Sequence, residues 1–267
     1  MKRIGNLYEK ICSIENLQLA DEKARKGKLR TYGVLEHDKN REANLLKLRE
    51  TLLNGTFHTS KYDVFTIYEP KEREIYRLPY FPDRILHHAI MNVLEPIWVS
   101  TFTADTYSCI KNRGIHAAAK KVKQALREDP EGTTFCLKLD IRKFYPSINH
   151  DVLKSILRRK LKDKRLLRLL DEIIDSADGV PIGNYLSQYF ANLYLTYFDH
   201  WIKEQKRVKH YFRYADDIVI LASDKSYLHS LMGEIRAYLG DLKLEVKGNW
   251  QVFPVAARGI DFVGYVL

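Results

Sequence analysis

The run Tyr211-Phe212-Arg213-Tyr214-Ala215-Asp216-Asp217-Ile218-Val219-Ile220-Leu221 constrains the fold of this chain more than any other stretch. Aromatic and branched residues of high strand propensity fill both flanks. Two adjacent acids interrupt them where a hairpin would turn, because Asp tolerates turn conformations that branched residues refuse. A tight β-hairpin with two carboxylates at its tip is therefore predicted. Asp-Asp is also ordinary turn chemistry, and an isolated pair would say no more than that. A second acid in a similar setting changes the reading: Thr134-Phe135-Cys136-Leu137-Lys138-Leu139-Asp140 is another strand-like run that ends in a carboxylate. Two strand-end carboxylates brought together suit hard, oxygen-seeking cations such as Mg²⁺. They form the cradle expected for two-metal phosphoryl transfer.

The bulk numbers agree with such a site without requiring it. The chain has 267 residues, enough for one large domain or two small ones, and 45% are hydrophobic, enough for a real core. Lys and Arg number 44 against 34 acids, a formal charge of +10, which favours a polyanionic partner. Cys12, Cys109 and Cys136 are odd in number and far apart. They give neither a metal-ligand spacing nor a disulfide framework, so a reducing, cytoplasmic setting is expected. The start, Met-Lys-Arg-Ile-Gly-Asn-Leu-Tyr, lacks an apolar signal core. No segment approaches the roughly 18 uninterrupted apolar residues of a membrane span.

Taken in order, residues 6–54 read as helices, with Leu7, Ile11, Ile14 and Leu17, then Leu45, Leu48 and Leu52, at helical spacing. Asn54-Gly55 closes the last of them. The charged stretch Asp21–Arg30 between them reads as a solvated face or a phosphate contact. Residues 61–80 read as two strands, around Tyr62-Val64-Phe65 and Glu74–Pro79, with a loop at Pro70 to Arg73. Pro82-Asp83-Arg84 opens a helix that Asp83 is placed to cap; His87 and His88 on it have no partner at ligand spacing. Lys111, Asn112, Arg113 and Gly114 form a basic turn before an Ala-rich helix, a setting that suits phosphate or is simply solvated.

After Asp140, helices are predicted over about 150–161 and 163–176, carrying a dense basic face at Arg158, Arg159, Lys160, Lys162, Lys164, Arg165 and Arg168. That face tracks a nucleic-acid backbone or is solvated. Gly179 to Gln188 is a Gly/Pro loop entering a long helix that runs to about Glu204. A helix near 225–239 follows the hairpin, then strand-like runs at Leu242–Lys247 and Gly259–Leu267. The order strand, helices, hairpin, helix predicts an α+β fold: an antiparallel sheet with helices on one face.

The order and spacing of these boxes over roughly residues 60–267 resemble reverse transcriptases. Tyr214-Ala215-Asp216-Asp217 resembles that family's catalytic box, and Asp140 to Tyr145 its first-acid motif. Gly179 to Gln188 resembles the motif against template and incoming nucleotide. Arg77-Leu78-Pro79 with Asp83-Arg84 resembles the first block, Leu244 to Lys247 the strand with a lysine near pyrophosphate, and Phe262-Val263-Gly264 the primer grip. Ile182-Gly183-Asn184-Tyr185-Leu186-Ser187-Gln188 departs from the Gln-Gly and Ser-Pro of group II intron enzymes. It is similar to the enzymes of diversity-generating retroelements, which copy a template RNA with errors at adenines.

The resemblance implies a polymerase right hand. Residues 1–60 would be an N-terminal helical extension, and 61–133 the fingers, with 150–178 shared between fingers and palm. Residues 134–267 would be the palm, ending at the primer-grip strand. The family's helical thumb would lie beyond Leu267, truncated or supplied by another chain. The implied cofactor is a pair of Mg²⁺ ions, with Mn²⁺ an alternative, held by Asp140, Asp216 and the carbonyl of Ile141, with Asp217 ligating or tuning the site. Lys111 and Arg113 would hold the triphosphate, helped by Arg77 or Arg84. Tyr145 would exclude a 2′-hydroxyl, Ile182, Gly183 and Gln188 would lie at the templating pair, and Lys247 would protonate pyrophosphate. Phe262 and Gly264 would grip the primer. The implied partners are an RNA template, a DNA or RNA primer, dNTPs and an accessory protein or RNA, with no membrane; the setting is a bacterial or phage-infected cytoplasm. The alternatives are a catalytically idle nucleic-acid scaffold, a group II intron or retron-type enzyme, and an RNA-templated RNA polymerase, which Tyr145 opposes.

Overall fold

The computed structural model describes residues 3–68 and 72–267. The chain divides into two compact units, residues 1–100 with His150–Phe190, and Thr101–Asn149 with Ala191–Leu267.

The first unit is mostly helical. Its helices span Tyr8–Cys12, Ile14–Ala24, Tyr32–Asp38, Arg41–Asn54, Ile85–Val99, His150–Lys160 and Lys164–Asp175. Ser13 caps the second of these, its hydroxyl accepting from the Asn16 amide at 3.2 Å. Gly55, at φ +68°, closes the fourth, the left-handed position that glycine takes without strain. Leu45, Leu48 and Leu52 are all buried, as their spacing predicts.

The Asp21 stretch is not a solvated face throughout. Asp21 is fully buried, and its carboxylate takes charge-assisted hydrogen bonds from Arg25 and Arg41 and a hydroxyl bond from Tyr80. Nor does Asp83 cap a helix. Its Oδ1 accepts from the Ser60 amide at 3.0 Å, a partner 23 residues away that local sequence does not reveal. The basic face of the later helices is partly engaged within the fold: Arg158 pairs with Asp171, and Arg165 lies 4.4 Å over the Tyr8 ring.

Strands β1 (Asp63–Ile67) and β2 (Arg73–Arg77) form an antiparallel hairpin in this unit. Pro70 and Lys71 of its predicted loop lie outside the described residues.

The second unit is built on a four-stranded antiparallel sheet ordered β4-β5-β3-β6, where β3 is Phe135–Asp140, β4 His210–Tyr214, β5 Asp217–Ala222 and β6 Gln251–Pro254. The predicted hairpin is present: Tyr214 pairs with Asp217, leaving Ala215-Asp216 as a two-residue turn with Ala215 at φ +53°. Both faces of the sheet are covered, not one. Helix Ile115–Glu128 packs Ala118, Val122 and Ala125 against Cys136, Phe212, Val219 and Leu221. The alternate residues Leu137, Leu139, Tyr211, Ile218 and Ile220 are equally buried on the opposite face. That double burial is why β3 and β5 read as near-continuous apolar runs. Helix Lys225–Asp241 packs on β3, β5 and β6.

Three predicted elements come out differently. The helix entered at Tyr185 stops at Tyr194, then resumes as Thr196–His200 and a π-turn at Trp201–Gln205. The break is local chemistry: Leu195 leaves helical geometry, and the Thr196 hydroxyl bonds back to the Asn192 carbonyl at 3.1 Å. Leu242–Lys247 is no full strand and makes a single bridge, Val246 to Ile141. Gly259–Leu267 is a short hairpin, β7 (Asp261–Phe262) and β8 (Tyr265–Val266), turning at Val263 and Gly264, which both have positive φ. Strand β6 carries no sequence signal of its own, being four residues that end in proline.

Candidate active site

The register of the sheet assembles the acids. Asp140, the last residue of β3, is the direct cross-strand partner of Asp217, the first of β5. Asp216 sits one residue back, in the turn, and its carbonyl accepts from the Ile141 amide at 3.3 Å. The bridge at Val246 closes the other side. Lys247 donates its amide to the Asp140 carbonyl and Arg142 donates to the Glu245 carbonyl, each at 2.8 Å. Lys247 Nζ then lies 2.9 Å from Asp140 Oδ2. The Ile141 carbonyl takes no part in these bonds.

Asp140 Oδ1 is buried and has no hydrogen-bond donor. Beside it the Asp216 carboxyl is pushed up to about 6, first by burial and then by the negative charge and side-chain hydrogen bond of Asp140; Lys247 opposes the rise. An orphaned carboxylate oxygen next to a carboxyl strained by like charge is a position short of one cation. The donor set is all oxygen and fits Mg²⁺. Among the described residues no three His, Cys, Asp or Glu side chains converge on one point.

Asp217 is raised as well, first by burial and also by the charge of Asp140, but it has what Asp216 lacks: the Lys138 ammonium, ion-paired with its Oδ1, and the Val263 amide both favour its charged form. Lys138 carries its own sequence signal: two positions before Asp140 on a strand, it shares the face of that acid. Its ammonium also lies 5.2 Å over the Phe262 ring. The Phe262 ring is fully buried in the core of the second unit, so it offers no face to a primer; it anchors the β7–β8 hairpin. Gly264 supplies the φ +84° of that turn.

In sequence Arg213 is one residue of a strand-like run; in the fold it is fully buried against a fully buried Asp199. Arg213 Nη2 and Nε donate to Asp199 at 2.5 and 2.7 Å, and Tyr211 and Thr106 donate to the same carboxylate at 2.6 and 2.9 Å. Arg213 Nη1 donates to the Ala215 carbonyl at 3.0 Å, so this network holds the turn that presents Asp216.

Tyr145 is half-buried over Phe144, with ring centroids 5.6 Å apart. Its hydroxyl pKa is raised, first by burial and then by the charges of Cys109 and Asp216. Lys111 is exposed; Arg113 spends Nη1 on the Thr103 carbonyl at 2.8 Å. Gly114 has ordinary φ and open space around a would-be Cβ, so nothing in its conformation requires glycine. The remaining predicted residues belong to the first unit. Arg77 pairs with Asp63 and lies 5.5 Å over Phe65. The Ile182 carbonyl accepts from the Tyr76 amide at 2.9 Å. Gly183, at φ +115°, approaches β2 so closely that a Cβ would meet Ile75 Cγ2 at 3.0 Å and the Tyr76 carbonyl at 3.1 Å. Gln188 is on an exposed helix face.

The burial of Asp216 beside Asp140 gives a stability prediction. A carboxyl whose folded pKa is raised stabilises the fold below its unfolded pKa and loses that contribution as pH rises through the folded value. In EDTA, Asp216→Asn is therefore expected to be more stable than the parent at pH 7, by about 1 to 3 kcal/mol, and no more stable near pH 3.5. Paired thermal melts across that range check it; equal melts at both pH values would show that neither burial nor the charge of Asp140 strains the Asp216 carboxylate.

A carboxylate pair at adjacent strand ends of an antiparallel sheet, with one oxygen left without a donor, is an arrangement that can take a divalent cation. The reverse transcriptase (RNA-dependent DNA polymerase) family profile matches residues 69–267, and the chain belongs to that family. It is 26% identical to protein YkfC of Escherichia coli K12 over 268 residues, spanning 82% of this chain and 70% of that protein. It is 24% identical to the group II intron-encoded protein LtrA of Lactococcus lactis subsp. cremoris over 191 residues, 66% of this chain but 31% of LtrA. Among solved structures, telomerase from Candida tropicalis in complex with a TWJ fragment of telomeric RNA superposes with a TM-score of 0.56 at 14% identity, over 78% of this chain and 43% of that one. That likeness shows the fold, the α+β fingers and palm.

Proposed function

We propose that this chain is an RNA-directed DNA polymerase that extends a primer 3′-hydroxyl with dNTPs, in the error-prone manner of diversity-generating retroelements. The observation that carries the polymerase reading is the Asp140–Asp216 pair with its buried, unpartnered Oδ1. A scaffold without chemistry has no use for two carboxylates that repel each other. On this reading the domain division is that of the right hand: an extension over residues 1–60, fingers over 61–133 with part of 150–178, and a palm from 134.

Asp140, Asp216 and the Ile141 carbonyl would hold two Mg²⁺ ions. Bound there, the ions lower the pKa of the primer hydroxyl and offset the charge of the triphosphate and leaving pyrophosphate. The protein's own groups do the rest. Asp217, already paired with Lys138, orients the site without binding an ion directly. Lys111, and the Arg113 nitrogens not spent on Thr103, hold triphosphate oxygens as charge-assisted donors; Arg77 assists. Lys247 donates a proton to the leaving pyrophosphate. Ile182, Gly183 and Gln188 meet the templating pair, while Gly264 shapes the turn against the primer. Tyr145 abuts the sugar. Tyr145→Ala is expected to raise ribonucleotide incorporation about 10- to 100-fold relative to dNTPs; competition assays with paired rNTP and dNTP check it, and an unchanged ratio removes the gate.

The retroelement reading rests on Ile182 to Gln188. A group II intron-type enzyme is the second reading, favoured by the LtrA match. Primer extension on an RNA template with Mg²⁺ and dNTPs, followed by sequencing, separates them. Errors concentrated opposite adenine support the first; accurate product supports the second. No extension, with accessory proteins or RNA supplied, leaves a nucleic-acid scaffold.

A further inference from the structure

Helix Ile115–Glu128 is amphipathic in a way the catalytic site does not use. One face buries Ala118, Val122 and Ala125 in the core beneath the hairpin β7–β8. The other carries His116, Lys120, Lys123 and Arg127 at intervals of four, three and four residues, one on each successive turn of a single stripe. These residues, with Gln124, Ala119 and Tyr265 of β8, line a concave groove of about 700 Å³. Tyr265 is held as its wall by a hydrogen bond between its hydroxyl and His116 Nδ1 at 2.6 Å. Lys120 and Lys123 are exposed and have no ion-pair partner among the described residues. Of the adjacent acids, Glu128 pairs with Arg127 at the end of the stripe and accepts from Gln124, and Asp129 is engaged away from the groove by Lys209 and His210.

We propose that this groove is a docking site for the sugar-phosphate backbone of a nucleic-acid strand, separate from the catalytic acids. The stripe covers about 16 Å of helix, the length over which one strand of a duplex presents about five phosphates. The hairpin supplies continuity. Its Val263 amide reaches Asp217, and two residues on its Tyr265 walls the groove. A strand that leaves the acids along β7–β8 enters a channel with the unpaired Lys120 and Lys123 on one side and the Tyr265 ring on the other. An acidic protein surface would find the same charges, but nothing that carries it on toward the acids. The choice of ligand rests on the polymerase reading; the groove itself does not.

The test is a salt titration of binding, read by fluorescence anisotropy with a labelled RNA–DNA hybrid. For the chain carrying Lys120→Gln, Lys123→Gln and Arg127→Gln, the slope of log Kobs against log salt is expected to flatten by about two to three units, near 0.9 per lost phosphate contact. The extension rate at saturating primer–template is expected to stay that of the parent. A slope equal to the parent's overturns the proposal, including the case where an acidic protein still binds. Lys123→Gln alone, expected to flatten the slope by about 0.9, decides the matter if the triple variant does not fold. If the parent binds but does not extend, the polymerase reading fails while the slopes still judge the groove.

Discussion

Replacing Asp140 or Asp216 by asparagine is expected to lower the rate of primer extension by at least about a thousandfold, about 4 kcal/mol of transition-state stabilisation. Asparagine keeps the shape and one oxygen but removes the charge that would hold a hard cation. Calorimetric titration with Mg²⁺ gives a readout that does not depend on turnover, and each variant is expected to lose detectable binding. Asp217→Asn is expected to be milder, since its carboxylate is already balanced by Lys138 and the Val263 amide. Full activity in Asp216→Asn would remove the site. The same substitution is expected to stabilise the metal-free fold, so one residue trades stability for chemistry.

The second large effect is expected far from any substrate. Asp199→Ala leaves a fully buried Arg213 guanidinium without its counter-ion, a change that costs about 3 to 5 kcal/mol. Urea denaturation of parent and variant measures it, and a loss below about 1 kcal/mol would mean that the pair is not closed to water. Arg213→Lys separates the two duties of the residue. Lysine keeps a charge for Asp199, but its point ammonium cannot also reach the Ala215 carbonyl that the guanidinium fork holds at 3.0 Å. Its extension rate is expected to fall further than its stability.

The contrast between these two sites shows what a linear sequence carries. The hairpin with Asp216 and the strand ending at Asp140 are local objects. Their propensities and turn chemistry lie within a few residues, and double burial of the sheet only sharpened the apolar runs. Lys138 was legible by strand periodicity, had the face of Asp140 been followed two residues back. The Arg213–Asp199 pair was not, because an arginine in a strand and an aspartate in a helix announce no partner. Asp83 failed as a cap for the same reason, its bond going to the distant Ser60 amide. Leu242–Lys247 alternates as strands do, yet Lys243 sits at φ +60° and the segment can pair only at Val246. Phe262 reads as a motif residue in sequence and proves to be core. Local propensity fixes existence and type; long-range partners decide which polar groups are spoken for.

The pairing at β3 has a consequence for how the protein is made. Asp140 is joined to Lys247, Arg142 to Glu245, and β3 to β6, contacts that span more than 100 residues of chain. Such pairings close late, because the loop entropy must be met before the contact forms. During synthesis Asp140 leaves the ribosome long before Lys247 does. The nascent chain therefore carries its first acid without the segment that flanks it, and the hairpin bearing the second acid is still to come. Cation capture becomes a late folding event, and a chain stalled before residue 245 would hold the motif of a polymerase without the geometry of one.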